Sequence, residues 1–152
     1  MHDDPRIQAG VNLDGAIRGS VGDEGLDRPL LMLASSETHW TEKDHWNAGW
    51  PSNIGLKLPL EIVGTRHRSF DDQQVVLPQL VSAGLLSADN CASAVGTIDA
   101  RQSLTLQRTY LRTFFGTAFA NINIAAAIAK IARNTPDISG SSATINRAAH
   151  RL

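Results

Sequence analysis

Leu60-Glu61-Ile62-Val63-Gly64-Thr65-Arg66-His67-Arg68-Ser69-Phe70 is the stretch that decides how this chain is read. Leu58 to Val63 is apolar and of strand length, and it breaks at Gly64. A histidine follows three residues later, and a helical pattern runs from Phe70 to Ala83. Pro78 is expected to kink or stop that helix, because its ring removes an amide hydrogen and crowds the preceding turn.

Working outward, Pro29 to Ala34 (PLLMLA) is a continuous apolar run, as expected for a parallel strand buried on both faces. Arg6 to Leu13 reads as a strand that turns at Asp14-Gly15. Gly19 to Asp27 reads as a glycine- and acid-rich loop. Thr41 to Trp50 has the spacing of a short helix, closed by Pro51-Ser52-Asn53. Beyond the histidine, Ser87 to Arg101 reads as a polar connector and Leu104 to Arg133 as one long helix, with Leu104, Leu106, Tyr110, Leu111, Phe114 and Phe115 forming its apolar stripe. Residues 1–134 are expected to form one domain portion and residues 135–152 a mobile tail. The order of elements predicts an α/β architecture, a parallel sheet covered by helices. Three strands are few for a free-standing sheet, and the first begins with no helix before it, so the N-terminal part of the domain is expected to be missing.

The chain has 152 residues, 42% hydrophobic and 19% charged, enough for a real core. The net charge of −1 carries no general attraction for nucleic acid. Met1 to Gly10 is polar and lacks the features of a signal peptide. The nearly apolar run Ile122 to Ala132 is too short to span a bilayer, so stable membrane insertion is not expected. Cys91 is the single cysteine and has no partner for a disulfide. His39, Asp44 and His45 are near one another, but His39 and His45 do not have the helical i, i+4 spacing of a metal pair. No metal and no cofactor is expected.

Two residues are placed for chemistry. Asp14 ends the first strand and His67 follows the third, and in open α/β sheets ligands gather at the carboxyl ends of strands. The chain order acid-then-histidine matches the last two members of the Ser, Asp/Glu, His order of α/β-hydrolases. In that arrangement the carboxylate fixes the tautomer of the imidazole, whose other nitrogen takes the proton from the serine. Each residue also has a plainer explanation: Asp before Gly at a strand end is a common turn, and a loop histidine is commonly just solvated. Trp40, Trp46 and Trp50 are most simply packing aromatics, Asp71 and Asp72 suit the start of a helix, and Arg66 and Arg68 suit a solvated loop.

Together several short pieces resemble a known family. They are Asp4-Pro5-Arg6-Ile7, Ala9-Gly10-Val11-Asn12-Leu13-Asp14-Gly15, Gly25-Leu26-Asp27-Arg28-Pro29-Leu30-Leu31-Met32, the Trp46 and Trp50 pair, Gly64-Thr65-Arg66-His67-Arg68-Ser69-Phe70-Asp71-Asp72 and Leu77-Pro78-Gln79-Leu80. In order and spacing the stretch from Asp3 to Leu80 resembles the C-terminal half of bacterial α/β-hydrolases related to platelet-activating-factor acetylhydrolase. The resemblance implies a partial α/β-hydrolase fold with Asp14 as triad acid and His67 as triad base. It further implies a serine esterase acting on short acyl esters of phospholipids or similar lipids, with Trp46, Trp50 and Phe70 near the substrate. It departs from the family in one essential respect: no G-x-S-x-G nucleophile elbow occurs in the sequence. The expectation is therefore an acid and a base without a nucleophile, inactive alone. The competing expectation is a non-catalytic module that associates through an uncovered sheet edge.

Overall fold

The computed structural model describes residues 4–37 and 52–139. Among them three strands run parallel and side by side: β1 (Gly10–Leu13), β2 (Leu30–Ala34) and β3 (Lys57–Ile62). Leu13 lies opposite Leu33, which lies opposite Leu60. β1 and β3 therefore reach the same height on either side of β2, and their carboxyl ends open together. A two-residue strand, β4 (Ile138–Ser139), pairs antiparallel with Ile62 and Glu61 of β3. The sheet order is β1-β2-β3-β4.

β2 is buried along its whole length. Its alternation sends Leu31 and Leu33 to one face and Leu30, Met32 and Ala34 to the other. The first face is covered by α4 (Ala100–Phe119) and α5 (Ile124–Ala132), whose Tyr110, Phe114, Ala125 and Ile128 are fully buried against Leu58, Leu60 and Ile62. Each such large apolar side chain contributes on the order of 2 kcal/mol. The second face is thinner: Leu26 joins it, with Ile17 and Val21, the latter in the short helix α1 (Ser20–Glu24), packed against it. The result is a partial α/β fold, a small parallel sheet with covering helices, as the sequence predicts.

Several elements differ from the sequence expectation, each for a local reason. The first strand is shorter, because residues 4–7 form a turn in which the Asp4 carboxylate accepts from the Arg6 backbone and guanidinium. This pairing holds the Asp4 carboxyl below, and the Arg6 guanidinium above, their ordinary ranges. The loop from Gly19 contains α1. α2 (Gln73–Ser82) continues through Pro78, and its packing on α3 outweighs the missing amide bond. The expected connector folds into α3 (Ala88–Val95), capped by Ser87, whose hydroxyl accepts from the Asn90 amide.

The expected long helix is two helices. Asn121 adopts a left-handed φ of 54° and ends α4, and the Asn123 side chain accepts from the Ala126 amide to start α5. Ile138 and Ser139, assigned from the sequence to the tail, form β4. The proposed helix Thr41 to Trp50, and with it His39, Trp40, Asp44, His45, Trp46 and Trp50, lies outside the described residues, as does the tail from residue 140. Among the described residues no helix is long and apolar enough to cross a membrane, and no cluster of His, Cys, Asp or Glu could hold a metal ion.

Candidate active site

Asp14 is the residue at which the chain leaves β1. Its amide still donates to Leu33, continuing the ladder by one bond, and its φ of 53° then turns the chain out of the sheet. Asp is one of the few residues that tolerate this left-handed conformation. The turn is caged by Asn12: its side-chain oxygen accepts from the Gly15 amide at 2.6 Å and its amide donates to the Gly15 carbonyl at 2.8 Å. The Asp14 side chain is only 3% exposed, and its Oδ1 accepts from the Ser35 backbone amide at 2.7 Å. Ser35 is the first residue beyond β2, so the central strand orients the carboxylate of its neighbour.

His67 opens a 3-10 turn, His67–Phe70, five residues past the end of β3. The turn is fixed by buried Ser69. Its hydroxyl accepts from the Arg66 amide at 3.0 Å and donates to the Val95 carbonyl, and its carbonyl accepts from Gln107 Nε2 at 2.9 Å. Phe70 packs its ring, partly buried, against the main apolar core. Behind the turn, the Gly64 carbonyl accepts from Thr97 and Ile98. Gly96 passes so close, at a φ of +80°, that a Cβ there would collide with that same carbonyl oxygen. The loop carrying the histidine is thus pinned to α3 and α4, far along the chain.

Across the end of β2 the two loops meet. His67 Nδ1 lies 3.0 Å from Asp14 Oδ2. A carboxylate oxygen accepts, so Nδ1 carries the hydrogen and Nε2 keeps a free lone pair. The His67 side chain is 70% exposed, against 3% for Asp14. Chemically the arrangement is an imidazole with its tautomer set from behind by a buried carboxylate and its other nitrogen presented outward, the geometry of a general base awaiting a proton donor. An open cleft of about 490 Å³ lies alongside, lined by Ser36, Glu37, Thr65, Arg66, Asp89 and Ser93 among others.

No protein-family model matches the chain. It is 28% identical over 129 residues to a "Probable 1-alkyl-2-acetylglycerophosphocholine esterase" of Arthroderma benhamiae, a match covering 76% of this chain and 32% of that protein. Its fold superposes on a ferulic acid esterase from Streptomyces cinnamoneus with a TM-score of 0.59 and 27% identity, covering 74% of this chain and 34% of the other. The chain is related to the esterase-like α/β-hydrolases. It spans about a third of the length of each of these relatives.

For an α/β-hydrolase relative, the residues that sequence reading singled out as acid and base are the two that the fold brings together. What that reading missed is their support. Ser35 acts through its backbone amide, which no side-chain pattern reveals. Asn12 had a legible signal, an Asn two residues before the acid at a strand end, with a glycine to cage. Ser69 and Gln107 are 38 residues apart in the sequence, so only the fold connects them.

Proposed function

We propose that this chain supplies the acid, Asp14, and the base, His67, of a serine carboxylic-ester hydrolase. The nucleophile and the oxyanion donors would come from polypeptide outside these 152 residues. The observation that carries this reading is the 3.0 Å contact between a buried carboxylate and the inner nitrogen of an exposed imidazole at the carboxyl ends of parallel strands. The names of the relatives favour an ester substrate, and the alkylacetylglycerophosphocholine esterase favours short acyl esters of phospholipids among them. Trp46, Trp50 and Phe70 are the aromatic candidates for contact with the acyl or lipid part. No cofactor enters the mechanism.

In the reaction, His67 Nε2 takes the proton of the serine hydroxyl as it attacks the ester carbonyl, and then gives that proton to the departing alkoxide. Asp14 holds the ring and stabilises the imidazolium between those steps. A second feature favours association as part of this function. One edge of β1 has no strand beside it among the described residues. An adjoining cleft of about 440 Å³ is lined by Val11, Leu13, Ala16, Ile17, Val21 and Leu30 among others. This edge is suited to receive a further strand from the rest of a larger hydrolase.

The test is to express the chain with the in-frame sequence upstream of its Met1 codon and assay hydrolysis of p-nitrophenyl acetate. The longer protein is expected to be active and the 152-residue chain inert. His67→Ala in the longer protein is expected to lower kcat by at least about 10³-fold. Full activity of that variant, or an upstream frame with no G-x-S-x-G, refutes the proposal.

A further inference from the structure

The segment that follows β2 touches both members of the pair. Ser35 donates its amide to Asp14. The next residue, Ser36, donates its amide to the Thr65 carbonyl at 3.1 Å and accepts the Gly64 amide on its hydroxyl at 2.9 Å. Glu37 then divides its carboxylate between two consecutive residues: Oε1 accepts from Arg66 Nη1 at 2.5 Å and Oε2 from the His67 backbone amide at 3.4 Å. Its own amide donates to the Ser35 hydroxyl at 3.3 Å.

We infer that Glu37 is a positioning residue for the base: it fixes the backbone of His67 from the same three-residue segment that fixes Asp14, so that acid and base share one frame. This rests on the reading of Asp14 and His67 as the acid–base pair.

Energetics separate this role from a purely structural one. Glu37 and Arg66 are 46% and 44% exposed in their side chains. An ion pair so exposed adds little to folding. His67 itself is mostly exposed, so among the described residues little besides Asp14 restrains its ring. The 3-10 turn is held from below by Ser69, while Glu37 is the side-chain acceptor on the amide of the histidine itself. Removing Glu37 should leave the fold intact and loosen the ring. Geometric precision of this kind matters far more to rate than to stability, since a displacement of about 1 Å can cost on the order of 10²-fold.

The experiment is nitrogen-15 and proton NMR of the full 152-residue chain, following the downfield proton on His67 Nδ1 that reports its bond to Asp14. It is run on the unsubstituted chain, Glu37→Ala and Glu37→Gln, with thermal unfolding of each. Glu37→Ala is expected to lose the downfield proton to solvent exchange while keeping a cooperative unfolding transition. Glu37→Gln retains an acceptor for the His67 amide and is expected to restore the signal. A downfield proton that persists unchanged in Glu37→Ala overturns the role of Glu37 alone. Its absence from the unsubstituted chain overturns the Asp14–His67 pair, and this inference with it.

Discussion

Asp14 and His67 end parts of the same site, yet they are built in opposite ways. Asp14 is buried, sits in a left-handed turn, and is tied to the end of the central strand by its own carboxylate. His67 projects from a turn that is anchored to α3 and α4, while its side chain is mostly exposed. Under the proposed function, the difference is what a proton relay requires. The carboxylate must not move and must be shielded, so its attraction for the imidazolium is not diluted by water. The imidazole must remain reachable on Nε2. Stability is therefore invested at Asp14, and accessibility at His67.

Substitutions should reveal that asymmetry. The largest effect is expected for Asp14→Val. It leaves the buried Ser35 amide without its carboxylate acceptor and forces a β-branched residue into positive φ, which together cost roughly 3 kcal/mol. Urea unfolding measures this, and a loss under about 1 kcal/mol would show that Asp14 does not anchor the loop. Next is Gly96→Ala, expected to cost about 2 kcal/mol because the added Cβ meets the Gly64 carbonyl at a backbone angle unfavourable for alanine. The same denaturation assay applies, and a neutral result would detach the histidine loop from α3. Smallest is His67→Ala, expected to change stability by less than about 0.5 kcal/mol. A large destabilisation there would mean that His67 is structural and would erase the contrast.

The sequence made the sheet legible because its strands announce themselves. PLLMLA and the run ending at Ile62 are apolar over strand length, and they emerge as β2 and β3. Asp14 and His67 were legible as strand-end residues, since the carboxyl ends of parallel strands are where chemistry gathers. The helical half was harder to read. Leu104 to Arg133 reads as one long helix, but Asn121 ends one helix and Asn123 begins another. α3 is rich in small and polar residues, and its burial of Cys91 and Val95 depends on packing that periodicity over so short a segment does not reveal. β4 has two residues, too few for any pattern. The support of the site was the least legible part, because it consists of backbone amides and long-range contacts such as Gln107 to Ser69.

The most direct measurement is kcat for p-nitrophenyl acetate in the chain extended by its in-frame upstream sequence and carrying Asp14→Asn, beside its unfolding free energy. Asparagine tolerates the φ of 53° and can still accept from the Ser35 amide, so stability should stay within about 1 kcal/mol of the parent. Its amide, however, can donate to His67 Nδ1 and reverse the tautomer. The account predicts a fall in kcat on the order of 10⁴-fold with the fold preserved. A kcat within tenfold of the parent would contradict it.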